Sequence, residues 1–436
     1  MSRTQIAWLR LRIIGYFNVL VIFLGLTRFR IDFVAQRVVH SRLVAYYVIC
    51  ANIGFLFFLP IAYIYEVIDD STYFGNNLLS LTGSVSRAIN FAASAFSVFL
   101  RSLREAVHLE IAETIIVLDR RYFSKMPMLE AEEKVEAAQQ CIWADRLLYF
   151  KMFALCMQIL ATIYYSLPTF DELDANEAWL DCYYVYTQSI LASTHFMYCY
   201  QMWLLWKRFG LLNVKVSALL RRLQRRTIKA GCGLGGSDLR QGRKQLALEA
   251  VDILRGIAQT HACLSHLLER LNEGYLLQIL VVLLASVIES ITFGYSLSLV
   301  FDGSLEWEFD FDTYLFCMFI CIMFIDFNLV YWISDRTVYA HGQITEILRR
   351  FQLLPFLGVD FEQHCELFVL QLKQQHRNTK LAGTFHLNRS SALALWAFVL
   401  TQIIVLLQFD FGSRLKTATE NAVMSRLNKL FRIQAV

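Results

Sequence analysis

Charge is what this chain has least of. Only 18% of its 436 residues are Asp, Glu, Lys or Arg, and 56% are hydrophobic. A soluble domain carries roughly 25% charge, so the polar residues cannot cover a water-facing fold of this size. Proline is scarce, at four residues, which excludes proline-rich disorder. Ten cysteines are too thinly spread for a disulfide-stapled secreted scaffold. No small-residue cleavage site follows the apolar stretch 13–26, so no cleavable signal peptide is expected. An all-α membrane protein is what remains.

Long apolar runs supply the positive side of that reading. A membrane-crossing helix needs about 20 apolar residues. Seven segments qualify: 43–65, 77–100, 147–167, 181–206, 274–300, 313–334 and 391–411. The second is the most polar, with Arg87, Asn90 and several serines. The stretch 13–26 is short for a crossing and reads as a segment embedded in one leaflet.

Basic residues are missing from every second connection. Segments 1–42, 101–146, 207–273 and 335–390 hold 34 of the 41 Lys and Arg. Connections 67–76, 168–180 and 301–312 hold none and are acidic instead. The positive-inside rule then places the N-terminus in the cytoplasm, and seven crossings place the C-terminus outside. The tail beyond Phe411 runs against this, because Arg414, Lys416, Arg426, Lys429 and Arg432 would prefer the inside.

The expected organisation has five parts. They are a cytoplasmic N-terminal segment (1–42), a six-helix ligand-binding bundle with long cytoplasmic connections (43–334), a cytoplasmic region (335–390), a last helix (391–411) and an extracellular tail (412–436). Apolar residues of 245–273 recur at helical spacing among charges, so the spans are expected to continue as helices into the cytoplasm. Gly231, Gly233, Gly235 and Gly236 read as a linker, since no Gly-Lys-Ser/Thr follows them as a phosphate loop requires.

Polar groups inside apolar spans are costly and mark either structure or function. Thr401, Val405 and Gln408 share one face of the last span, at spacings of four and three. Thr and Gln there either bond a neighbouring helix or line water. Arg87, Glu289 and Asp326 stand inside other spans. Arg87 and Glu289 could form a structural pair, or Glu289 could contact a cationic ligand. The aromatic residues at the outer helix ends form an interfacial belt or turn inward around a ligand. The candidate ligand set is Tyr165, Tyr184, His195, Glu289, Phe293 and Tyr314. Neither metal-ligand spacing nor a catalytic constellation is present, and no cofactor or enzyme activity is expected. Arg221, Arg222, Arg225 and Arg226 suit anionic lipid better than nucleic acid.

The last span reads Thr401-Gln402-Ile403-Ile404-Val405-Leu406-Leu407-Gln408-Phe409. This resembles the Thr-Tyr, five apolar residues and Gln-Phe that mark insect gustatory receptors, with Gln402 in place of tyrosine. Gly383-Thr384-Phe385-His386-Leu387 is similar to that family's Gly-x-Phe-x-Leu stretch. The resemblance implies a tetramer, homomeric or built with related subunits, joined by a cytoplasmic anchor domain. It implies a non-selective cation pore lined by the last helix, with Thr401, Val405, Gln408 and Phe409 at pore and gate. Each subunit would bind a small-molecule tastant, and the protein would sit in the plasma membrane of gustatory receptor neurons. Ile403 stands where the sugar-sensing branch has an acid, which leans toward bitter or repellent compounds.

Two rival classes fit less well. Asp119-Arg120-Arg121-Tyr122 is similar to the Asp-Arg-Tyr box of G-protein-coupled chemoreceptors, but it follows the second span and the charge pattern inverts that topology. A transporter would show internal repeats and broken helices, which this sequence lacks.

Overall fold

The computed structural model describes residues 14–32, 35, 37–73, 77–123, 131–166, 175–231, 237–302, 311–351, 359–375 and 387–434. The N-terminal apolar stretch forms a short helix, α1 (Ile14–Phe23), too short to cross a membrane. A two-stranded antiparallel hairpin follows, β1 (Phe29–Asp32) and β2 (Arg37–His40), with Phe29 opposite His40. The other elements are helices: α2 (Arg42–Tyr73), α3 (Asn77–Leu103), α4 (Glu105–Leu118), a π-helical turn (Asp119–Phe123), α5 (Ala131–Ser166), α6 (Ala175–Gly231), α7 (Ser237–Phe301), α8 (Phe311–Phe351), α9 (Val359–Gln375) and α10 (Arg389–Gln434).

Helix length explains the long basic connections. At 1.5 Å per residue, the 57 residues of α6 and the 65 of α7 extend well beyond a hydrocarbon core of about 30 Å. The apolar periodicity read in 245–273 is thus the lower part of α7, continuous with the span above it. Below the spans, α9 packs against α7 and α8. At the other end α10 continues through Phe411 to Gln434, so the expected tail is largely a continuation of the last helix. The basic residue that opens it, Arg414, pairs with Asp410 at 2.7 Å and lies 3.9 Å from Asp302. These acidic partners account for a cation at this end.

Five described helices are long and apolar enough to cross a membrane: Arg42–Ala62, Glu133–Tyr164, Leu248–Phe301, Tyr314–Phe351 and Arg389–Lys416. The expected second and fourth crossings, in α3 and α6, fall short of that apolar standard. The reason is the polar residues that each turns into the bundle, α3 on one face and α6 at the centre. α3 buries Ser86, Asn90, Ser94 and Ser97, and α6 buries Thr187, Ser189, Ser193 and Thr194. A helix surrounded by protein does not need an apolar surface all round. α6 sits at the centre, packing on α3, α5, α7 and α8, with Tyr198, Trp203 and Phe209 fully enclosed. α2 and α10 are peripheral, and their exposed residues are apolar: Leu43, Ile53 and Phe57 on one, Leu393, Leu400 and Ile404 on the other. Apolar outward faces suit lipid or another subunit.

Candidate functional site: a cavity beside the last helix

Four helices bring scattered polar residues to one cavity. α5, α6, α7 and α8 enclose about 290 Å³ in the half of the bundle next to the acidic connections. Ser286, Glu289, Ser290 and Phe293 recur along one stripe of α7, at spacings that keep them on one face. α6 contributes Tyr184, Gln188 and His195, α5 contributes Gln158 and Thr162, and α8 contributes Phe316, Phe319 and Asp326. Phe293 meets Phe316 and Phe319 edge-on, with ring centroids 5.6 and 5.9 Å apart, and these rings form an apolar wall.

The end of the cavity farthest from the acidic connections is closed by an ion-pair cluster. Lys151 Nζ lies 2.5 Å from Asp326 Oδ2 and 3.2 Å from His195 Nδ1. His195 Nδ1 is itself 3.3 Å from the same carboxylate oxygen. Nδ1 thus faces both the Lys151 ammonium and the Asp326 carboxylate, and the ring turns Nε2 the other way. That nitrogen and Asp326 Oδ1 are buried without a partner among the described residues, and both residues line the cavity. Lys151 is absent from the sequence-derived set, although a lysine inside span 147–167 is a legible signal.

Two hydroxyls of the cavity are satisfied within their own helices. Ser290 donates to Ser286 O at 2.7 Å and Thr162 to Gln158 O at 2.9 Å. Glu289 differs. It is 8% exposed, lines the cavity, and has no ion-pair or hydrogen-bond partner among the described residues. The expected Arg87–Glu289 pair is therefore not formed; Arg87 takes other interactions.

Four of the six sequence-derived ligand candidates, Tyr184, His195, Glu289 and Phe293, thus share one cavity. Tyr314 lies outside it, 71% exposed on the first turn of α8. Two residues further on, Phe316 is about 200° around the helix and faces the opposite way. The Tyr165 side chain is outside the described residues, as are residues 383–386 of the Gly-x-Phe-x-Leu stretch.

The last helix touches the walls of this cavity from behind. Gly294, one residue beyond Phe293, leaves room for Ile403 of α10; a Cβ on Gly294 would collide with the Ile403 side chain. Trp396 of α10 packs on Phe324 and on Phe327, with centroids 4.4 and 5.3 Å apart, and Phe327 lines the cavity. The opposite face of α10 carries the pore candidates. Thr401 and Gln408 are exposed, Val405 is half-buried and Phe409 is 69% exposed. Thr401 bonds back to Ala397 O of its own helix, and among the described residues no other helix bonds Thr401 or Gln408. Bonding between helices within one chain therefore does not account for this face.

The Asp-Arg-Arg-Tyr sequence is a structural clamp. It forms the π-helical turn, where Asp119 pairs with Arg208 of α6 and Tyr122 takes a hydrogen bond from Lys215 at 3.2 Å. Burial pushes the Tyr122 hydroxyl up to about 12.

Comparison with known proteins speaks to the fold and the family. Residues 14–412 match the 7tm chemosensory receptor family. A stretch of 84 residues is 31% identical to the putative gustatory receptor 58a of Drosophila melanogaster, covering 19% of this chain and only 21% of that relative. The fold superposes on the insect olfactory receptor OR5 from Machilis hrabei in complex with eugenol, with a TM-score of 0.62 at 13% identity, over 92% of this chain and 99% of that one. A second structure of the same receptor gives 0.60 at 12% identity, over 91% and 97%. At such identities the likeness speaks for the fold. The family match over nearly the whole chain speaks for descent: this protein is a member of the 7tm chemosensory receptor family.

Proposed function

We propose that this protein is a gustatory receptor that opens a non-selective cation pore when a small tastant enters the α5–α8 cavity. The observation that carries the reading is the shared wall. Phe293 faces the cavity and Gly294, the next residue, receives Ile403 of the last helix. A ligand that shifts α7 or α8 by a fraction of an ångström changes the seat of α10. Seven crossings, with the N-terminus inside, leave α10 free to meet its copies in a tetramer, with homologous subunits or with itself. Its outward face then lines the pore, with Thr401, Val405 and Gln408 along it and Phe409 as an apolar gate that keeps the closed pore dry.

The cavity lining supports one ligand class. Aromatic walls and one unpartnered carboxylate favour a small amphiphile with a cationic centre, held by Glu289 against Phe293. This suits bitter or repellent amines better than sugars, which need many hydrogen-bonding groups. Ligand shifts the closed–open equilibrium only by its differential affinity for the two states. Moving it from 1:99 to 99:1 takes about 5.5 kcal/mol, roughly 1.4 kcal/mol for each of four pockets, so weak ligands suffice.

The test is electrical recording from cells that express the receptor, challenged with a panel of bitter amines, with G proteins blocked by GDPβS. Currents that survive the block and carry both Na⁺ and K⁺ support the channel. Responses that vanish under the block, with the receptor at the surface, assign it to the G-protein-coupled class instead.

A further inference from the structure

A second group of unpartnered polar atoms lies outside the ligand cavity, where α1 and the hairpin pack against α3, α4 and α6. The turn after α1 is tightly made. Gly25 takes φ +73°, and its carbonyl accepts from Asn52 Nδ2 at 3.1 Å. The next carbonyl, Leu26 O, accepts from Arg101 Nε at 3.0 Å. Arg101 ends the second apolar segment and is 2% exposed. Its Nη1 donates to Tyr275 Oη at 2.9 Å, and its Nη2 has no partner among the described residues.

A buried guanidinium is normally paired with a carboxylate, because an unpaired charge in a low-dielectric interior is costly. Among the described residues no carboxylate pairs with Arg101. Glu105, the acid whose charge reaches it, is held by Arg28 through a side-chain contact of 3.0 Å and a backbone bond of 2.8 Å. The neighbouring segments 1–13 and 33–36 contain neither Asp nor Glu.

Three more polar groups face the same space. His108 is fully buried, edge-on to Tyr275, and neither ring nitrogen has a partner among the described residues. Burial, then the charges of Arg101 and Arg104, hold its pKa well below the usual histidine range, so the neutral ring presents one N–H. The Thr27 hydroxyl and Gln201 Oε1 are also buried and unpartnered. All four residues line one cavity of about 60 Å³, bounded elsewhere by Asn18, Tyr200 and apolar residues such as Ile14, Phe17 and Phe29. Such a space holds a few water-sized bodies.

We propose that this cavity binds a small monovalent inorganic anion of chloride size. Arg101 Nη2, the Thr27 hydroxyl and the His108 N–H are its donors, and the Gln201 amide joins them by turning its NH₂ inward. Water alone would satisfy hydrogen bonds but would leave the guanidinium without a counter-charge. The anion bridges the turn after α1 (Thr27), the end of α3 (Arg101), α4 (His108) and α6 (Gln201), and so fastens the N-terminal segment to the bundle.

The test uses the purified full-length protein in detergent, melted in sodium chloride or in sodium gluconate at equal ionic strength. Gluconate is too large for the cavity. Chloride and bromide are expected to raise the melting temperature by several degrees, with saturation, and Arg101→Gln is expected to abolish the difference. Should that variant fail to fold, Thr27→Val removes one donor at nearly constant shape and is expected to raise the half-saturating chloride concentration severalfold. Equal melting in both salts means that water fills the cavity, and the proposal falls. A chloride effect that survives unchanged in Thr27→Val means that the anion acts elsewhere, which overturns the proposal as well.

Discussion

The two ends of the bundle treat their buried polar groups in opposite ways. At the basic end, the Arg101–His108 cavity apart, they form bonds between helices. Arg208 pairs with Asp119, Trp203 Nε1 donates to Ala144 O at 2.8 Å, Asn213 donates to Ala340 O at 2.7 Å, and Ser265 lies within bonding distance of both His261 and His341. At the acidic end Glu289 stands open to a cavity, and α10 leaves a face with Thr401 and Gln408 uncovered. Satisfied networks fix one packing; unsatisfied groups keep a place for something else. On the function proposed above, the basic end is the frame and the acidic end the sensor. The Lys151–Asp326–His195 cluster marks the boundary, bonded on one side and facing the cavity on the other.

The sharpest way to break this comparison is to treat the two buried carboxylates alike. Asp326→Ala leaves Lys151 charged and unpaired at 1% exposure, a change that costs about 3–5 kcal/mol. Melting of the purified protein and its surface level should both fall severely. Glu289→Gln removes no ion pair and should melt within about 0.5 kcal/mol of the parent, while its response to a permanently charged bitter amine drops about tenfold or more. Equal destabilisation by the two substitutions would show that Glu289 is structural and that the frame extends through the cavity.

Coupling between cavity and pore is the next test. Gly294→Val drives a side chain into Ile403, and overpacking of this kind costs about 1–3 kcal/mol. The half-activating ligand concentration should shift while the cavity lining stays intact, and Ile403→Ala should restore it. Additive effects of the two changes would mean that α10 is not seated through this contact. Phe409→Ala sits on the uncovered face, so its melting should stay unchanged while the resting current rises about tenfold, equivalent to about 1.4 kcal/mol of gating free energy. Silence at rest, with normal surface expression, removes Phe409 from the gate.

The all-helical membrane class and the cavity side of α7 are legible in the sequence, each for a physical reason. Apolar runs and alternating charge reflect lipid and translocation, which act on composition alone. Glu289 and Phe293 are legible because a carboxylate in an apolar span and an aromatic near its outer end are conspicuous one at a time. Asp326 is visible in the same way, but its pairing with Lys151 is not: that depends on the register of α5 against α8, which no local pattern encodes. Register also defeats the expectation for Tyr314, which lies near the right depth but on the wrong face. The polar character of α3 and α6 is a further case, since only packing shows that their polar residues face protein, not lipid.

The smallest effect concerns the frame and is a matter of pH. His108 has a folded-state pKa well below the unfolded value of about 6.5, because burial and then the charges of Arg101 and Arg104 disfavour the imidazolium. Above pH 6.5 the ring is neutral in both states and stability is flat. As pH falls through 6.5 the unfolded chain takes up a proton that the fold refuses, so stability declines by at most about 1.4 kcal/mol per pH unit until the folded pKa is reached. Melting curves in gluconate between pH 7.5 and 5 should show this acid limb, and His108→Phe should flatten it. An unchanged limb in that variant would assign the acid sensitivity to other histidines and would leave His108 neutral without consequence for the frame.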